Sequence, residues 1–79
     1  LGDPRSQFDA SVMYYKGVGV ARDAIEAAKW WTLAMMRAGR FAESIRVSVE
    51  SAEAKLTPEE LAEGKRLAAE WLKAREARK

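Results

Sequence analysis

Several groups of residues in this chain could do chemistry by their type and spacing. Glu59, Glu60 and Glu63 lie close together, and paired carboxylates can divide general acid and general base work between them. That chemistry needs a cleft and a second carboxylate at fixed separation. The first two glutamates instead fall where a helix begins, a place the helix dipole makes favourable for acids in any case. Gly17-Val18-Gly19 could cradle a phosphate. A phosphate loop, however, follows a strand, opens directly into a helix and usually carries a third glycine, whereas this pair follows a helical pattern and reads as a turn. Trp30 and Trp31 with Trp71 could form an aromatic box, but their helical spacing among Ala and Met reads as core. Arg66, Lys73, Arg75, Arg78 and Lys79 could meet nucleic acid or an anionic membrane surface. Glu63, Glu70 and Glu76 are interleaved with them and dilute the field, so a solvated face is expected.

Composition narrows the chemistry further. The chain has 79 residues with no His and no Cys. That removes imidazole bases, thiolates, disulfides and nearly all zinc sites. No catalytic, metal-binding or cofactor-binding residue is therefore expected, and no cofactor. An apolar fraction of 48% beside a charged fraction of 33% is the balance of a soluble globular chain rather than a disordered one. No apolar run approaches the ~20 residues needed to span a bilayer, so no membrane association is expected. The net charge of +2 argues for no particular partner, and nucleic acid is not expected. Leu1 is not an initiator methionine, which suggests a processed chain or one taken from a longer protein; no signal peptide is visible, and the compartment is not indicated.

Four elements must position these residues. Asp3-Pro4 reads as a helix start, with a helix to about Lys16 that carries Phe8, Ser11, Val12 and Tyr15 at helical spacing and Ala10, Ser11 and Tyr14 beside them. Gly17 suits the left-handed position that ends it. Asp23 can cap a second helix running to about Ala38. Its two adjoining stripes, Ile25-Ala28-Trp31-Met35 and Ala27-Trp30-Ala34, predict packing on more than one side. Phe41, Ile45, Val49 and Ala52 mark a third helix to about Ala54, a weaker former for its serines and valines. Thr57-Pro58-Glu59-Glu60 is a capping box opening a fourth, which carries Leu61, Gly64, Leu67, Ala68, Trp71 and Leu72 inward. No strand is expected.

The chain also repeats. A shift of 36 places Ile25 on Leu61, Ala28 on Gly64, Trp31 on Leu67 and Met35 on Trp71; a shift of 37 places Phe8 on Ile45 and Val12 on Val49. Two helical hairpins of about 36 residues are the period of an α-solenoid. The stretch from Ser6 to Gly39 resembles the Sel-one-like repeat (SLR), a relative of the tetratricopeptide repeat (TPR). The matching positions are Tyr14, Gly17, Gly19, Val20, Asp23, Ala27, Trp30 and Ala34. Gln7, Ala10 and Ser11 depart from the pattern, where Ala, Leu and Gly are usual, and predict looser packing or altered spacing of the first helix. The resemblance implies an all-α, TPR-like α/α superhelix fragment of two antiparallel helical hairpins in one domain, residues 1–79. Residues 3–39 would be the SLR-type hairpin, and 40–79 a degenerate half-repeat with a capping helix. It also implies a non-catalytic adaptor or scaffold role, since members of the family act chiefly in assembly, signalling and host contact. A small ligand-binding or enzymatic domain is the alternative, and nucleic-acid binding through the basic last helix a further one.

Two stripes on the first helix are candidate sites. In the resembled family the first helices line a concave, partner-receiving surface. Arg5, Asp9, Met13 and Lys16 recur at spacings of four, four and three, a mixed stripe with a flexible Met that suits peptide or protein contact. Phe8, Val12 and Tyr15 would meet a preceding hairpin in a longer array, and none is present. Either the last helix folds back over this stripe, or it is a self-association surface giving a homodimer through the first helix, or the chain is taken from a longer array that supplies the missing hairpin.

Overall fold

A computed structural model describes residues 3–37 and 39–77. Among them are four α-helices and no strand: α1 (Pro4–Lys16), α2 (Ala24–Arg37), α3 (Phe41–Glu53) and α4 (Pro58–Ala77). The all-α expectation holds, and helix starts agree with the sequence reading. Ala38, Arg78 and Lys79, which the sequence places at the end of the second helix and in the basic tail, lie outside the described residues. Among the described residues no helix is long and apolar enough to cross a membrane.

Each start has a local cause. The Asp3 carboxylate accepts from the Ser6 N–H at 2.9 Å and the Ser6 hydroxyl at 3.2 Å, with Pro4 in the first turn. The Ser6 hydroxyl first, and then the Ser6 N–H, hold this carboxyl below its ordinary value of 3.8. Asp23 Oδ1 accepts from the Glu26 N–H at 3.0 Å. Thr57 and Glu60 cap α4 reciprocally: Glu60 N–H donates to Thr57 Oγ1 at 3.1 Å, and Thr57 N–H to Glu60 Oε1 at 2.9 Å. At the end of α1, Gly17 has φ 74° and donates its N–H to the Met13 carbonyl at 2.8 Å. A Cβ there would sit 3.2 Å from Arg22 Cβ, so the turn demands glycine twice over. α3 is different. Arg40 precedes it with helical backbone and no side-chain cap, and Ala54 ends it without a left-handed residue.

α2 is the centre of the packing. It buries Ala27, Ala28, Trp30, Trp31, Leu33 and Ala34, and approaches α1 and α4 closely and α3 less so. One cluster joins Ala27, Ala28, Trp31 and Ala34 to Ile45 and Val49 of α3; another joins Trp30 and Leu33 to Ala68 of α4. Trp30 meets Trp71 edge to face at 5.8 Å. The second helical pair is less closed than the sequence reading anticipates. α3 and α4 both dock on α2 rather than closely on each other, and a shallow cleft of about 250 Å³ containing Met35 and Lys65 lies between them.

On α1 two of the three positions that depart from the SLR pattern are the buried ones, and Ala10 is half-buried. Gln7 is 0% and Ser11 1% exposed, and the Ser11 hydroxyl donates to the Phe8 carbonyl at 2.6 Å, so its burial strands no donor. α1 lies close against α2 along this face.

α2 and α4 approach closely at Gly64. A Cβ there would collide with Ala28 Cβ and lie 3.2 Å from the Ile25 carbonyl oxygen. In Gly64→Ala the helices must therefore separate, at a cost of typically 1–3 kcal/mol for overpacking, against about 1 kcal/mol gained in helix propensity. A lower urea midpoint is expected for Gly64→Ala. The exchange Ala28→Gly with Gly64→Ala balances propensity and removes the Cβ–Cβ collision but leaves the new Cβ 3.2 Å from the Ile25 carbonyl oxygen, so it should recover the midpoint only in part. The Asp3 cap has a pH signature. Because its folded pKa is depressed, its contribution is complete above the unfolded value and is lost as pH falls through the folded one. Acid titration of stability should therefore be less steep below about pH 4 in Asp3→Asn than in the parent chain.

Candidate functional site

A concavity lies between α1 and α3. It holds about 380 Å³ and is floored by Trp31 of α2, which is 3% exposed. One wall is the stripe Phe8, Val12 and Tyr15 of α1; the other is Val49 and Ala52 with the hydroxyls of Ser48 and Ser51. The helices run the same way along it. At one end Phe8 meets Phe41, the first residue of α3, edge to face at 6.3 Å, which pinches the groove shut. At the other end stand Lys16, the last residue of α1, and Lys55, just beyond α3. Tyr15 is held from both sides. Its ring packs on Trp31 at 6.1 Å, and the Arg22 guanidinium lies 5.5 Å over it while donating to the Tyr15 carbonyl at 2.9 Å.

The electrostatics of the groove are one-sided. Its lining includes two cations and no carboxylate. Neither Lys16 nor Lys55 has an ion-pair partner among the described residues. The carboxyl ends of two helices also point to this end, each equivalent to about half a negative charge. Two full positive charges exceed them, leaving the open end net positive by about one charge.

The two sequence-derived stripes are distributed over this geometry. Phe8, Val12 and Tyr15 form the α1 wall, and their neighbour is α3 rather than a folded-back α4. Lys16 stands at the open end. Arg5 sits at the pinched end, its guanidinium 5.3 Å over the Phe41 ring. Asp9 is exposed, and Met13, 42% exposed, approaches the turn at Gly19. The structure thus brings Lys16 together with the apolar stripe and leaves Asp9 and Met13 outside the groove. Sequence reasoning missed Ser48, Ser51 and Lys55. Their signal was a helical stripe, Ser48-Ser51-Lys55, running beside Ile45-Val49-Ala52.

Two of the three carboxylates weighed for acid–base work are otherwise engaged. Glu60 belongs to the α4 cap, and Glu63 pairs with Arg66, which also pairs with Glu70. The Arg66 hydrogen bond and then its charge hold Glu63 below the ordinary carboxylate value, and Glu63 in turn raises Arg66. Of the aromatic set, Trp30 and Trp31 are buried and Trp71 half-buried, as a core reading requires.

Comparison with known proteins finds no matching family model, no matching curated sequence and no matching solved structure.

α3, the groove's outer wall, has no side-chain cap at its start and buries only Ile45 and Val49. Hydrogen exchange followed by mass spectrometry should find the amides of 45–52 exchanging faster than those of 27–34 in α2. Equal protection of the two segments would mean that α3 is held as firmly as the core.

Proposed function

We propose that this chain is a non-catalytic protein-interaction module of Sel-one-like repeat type, its helices arranged as a short TPR-like superhelix. The observation that carries the reading is the apolar groove between α1 and α3, with an aromatic wall, a buried Trp floor and a cationic mouth. The repeat reading draws support from the residues of the SLR pattern. Gly17 and Gly19 take positive φ, Asp23 caps α2, and Ala27 and Ala34 are fully buried where α2 is most crowded. Ala28 and Gly64, equivalent under the 36-residue shift, also lie against each other where α2 and α4 come together.

The partner of such a module is a protein or peptide, and a second copy of this chain is one form it can take. The stripe Phe8-Val12-Tyr15 is only half covered by α3, and an apolar stripe in that condition suits an interface. Nucleic acid is a poorer fit: Arg66, the innermost cation of the basic run, is already bracketed by Glu63 and Glu70.

One observation favours a second reading, a small-ligand site. The volume of about 380 Å³ lies within the range of ligand pockets, and the Trp31 floor is flanked by serine hydroxyls. NMR screening with a fragment library distinguishes it: saturable shifts confined to Val12, Trp31 and Ala52 would favour the small ligand over a protein.

Light scattering coupled to gel filtration over a hundredfold concentration range tests the interaction reading. A dimer dissociated by Phe8→Glu would assign the groove to a second copy. A constant monomer mass leaves it to another protein, and the double variant Arg5→Glu, Lys16→Glu should then weaken binding to that partner at least tenfold. Monomers at every concentration, together with a partner whose binding ignores both Phe8→Glu and the double variant, would show that the interaction face lies elsewhere.

A further inference from the structure

The groove has a shape and a charge that specify more than a generic partner. We infer that its occupant is an amphipathic α-helix of another protein, apolar along one face and acidic at the end that meets Lys16 and Lys55. The inference rests on the interaction reading above and names the partner's chemistry.

The walls argue for a helix. Phe8, Val12 and Tyr15 recur at spacings of four and three along α1, and Val49 and Ala52 at three along α3. Two helical stripes side by side make a trough whose ridges and holes repeat at helical period, which a third helix can fill with residues at i, i+4 and i+7. An extended segment is a worse fit. Both walls are helices whose backbone groups are satisfied internally, so a strand would find no sheet edge to pair with. The Ser11 hydroxyl proton is taken up by the Phe8 carbonyl, so the walls offer only a few side-chain groups, those of Tyr15, Ser48 and Ser51, to hold an extended backbone. An extended chain would lose hydration along its length with few bonds in return. A helix satisfies its own backbone and asks only for apolar contact.

The mouth argues for acid. Lys16 and Lys55 line it, no carboxylate faces them from the lining, and the two helix dipoles offset only about half of their charge. An acidic residue on the incoming helix would be the first carboxylate either lysine meets. A basic helix would bring like charges together at the same point and be rejected. The basic α4 of a second copy is disfavoured for that reason.

The test is selection of a random 16-residue peptide library displayed on phage against the whole chain, followed by fluorescence anisotropy on the enriched peptides. Enriched sequences are expected to carry apolar residues at i, i+3 or i+4, and i+7, with Asp or Glu towards one end. The double variant Lys16→Glu, Lys55→Glu should lower their affinity at least tenfold, and Ala52→Trp should abolish binding by filling the trough. Both lysines are exposed, so the charge variant keeps its fold, checked by circular dichroism, even if Ala52→Trp does not. Groove-directed peptides that are proline-rich, of alternating period, or indifferent to the lysine changes would overturn the inference while sparing the interaction reading. Failure to enrich any peptide sensitive to either variant would overturn both at this groove.

Discussion

Everything in this molecule depends on the requirement that one helix, α2, be covered on three sides. Its sequence AIEAAKWWTLAMMR has apolar residues over most of its circumference, and no single neighbour can bury them. Small residues make the multiple coverage possible. Ala27, Ala28 and Ala34 leave no bulk between backbones, and Gly64 lets α4 come in against Ala28 where even a methyl group would not fit. The large residues supply the driving force. A buried Trp removes about 150–250 Å² from water, roughly 4–6 kcal/mol at 25 cal/mol per Å². Trp30 and Trp31 each bury an Nε1–H that has no acceptor among the described residues, which costs about 1–3 kcal/mol. The transfer gain exceeds that penalty, so a 79-residue chain without disulfides can tolerate two such donors in its core.

Once α2 is saturated, its neighbours are left with apolar surface they cannot bury on it. α4 handles this with charge: outside its α2-facing side it presents Glu63, Arg66 and Glu70, paired with one another. α1 has no such arrangement. Gln7 and Ser11 take the positions nearest α2, and this turns Phe8, Val12 and Tyr15 towards α3. α3 is too narrow in its apolar stripe to cover them. It spends Ile45 and Val49 on α2 and touches α1 chiefly through Phe41, so the stripe is sheltered at one end and open along the rest. The groove is thus a product of how polar residues are placed within α1, not of any loop built to form it.

The helices were legible in the sequence because their signals are local. Asp3-Pro4, Asp23, Gly17 and Thr57-Pro58-Glu59-Glu60 act within four residues of themselves, and the structure uses each as read. The burial of α2 was legible from its two stripes, although Leu33, fully buried, falls outside both. Gln7 was not legible. The sequence shows it only as a departure from the repeat pattern where Ala is usual, and the close approach of α2 explains why that position is covered. The groove was half legible for the same reason. Periodicity identified Phe8, Val12 and Tyr15 as a stripe without a partner, but which helix would stand beside it depends on how α3 and α4 share α2. Ser48, Ser51 and Lys55 gain meaning only from that arrangement, since nothing in their local sequence separates them from an ordinary solvent face.

Trp31 ties stability to recognition in this architecture. It belongs to the central cluster with Ala28 and Val49, and it is also the floor of the groove. A partner gains little from Trp31 itself, which is already buried; the gain lies in the half-covered Phe8, Val12 and Tyr15 and in a second face for α3. α3 is the helix with no side-chain cap at its start and the lightest packing on α2, so an occupant of the groove bonds to the element with the most to gain in order. Any ligand that binds only when α3 is docked stabilises that state, by about 2.7 kcal/mol at one hundred times its dissociation constant. Occupancy and the protection of α3 are therefore linked: whatever loosens α3 weakens binding by the free energy it takes to dock it again, and whatever fills the groove holds α3 in place. A short helical module with one overfilled helix and one underheld one is in this way responsive to its partner without any hinge or lid.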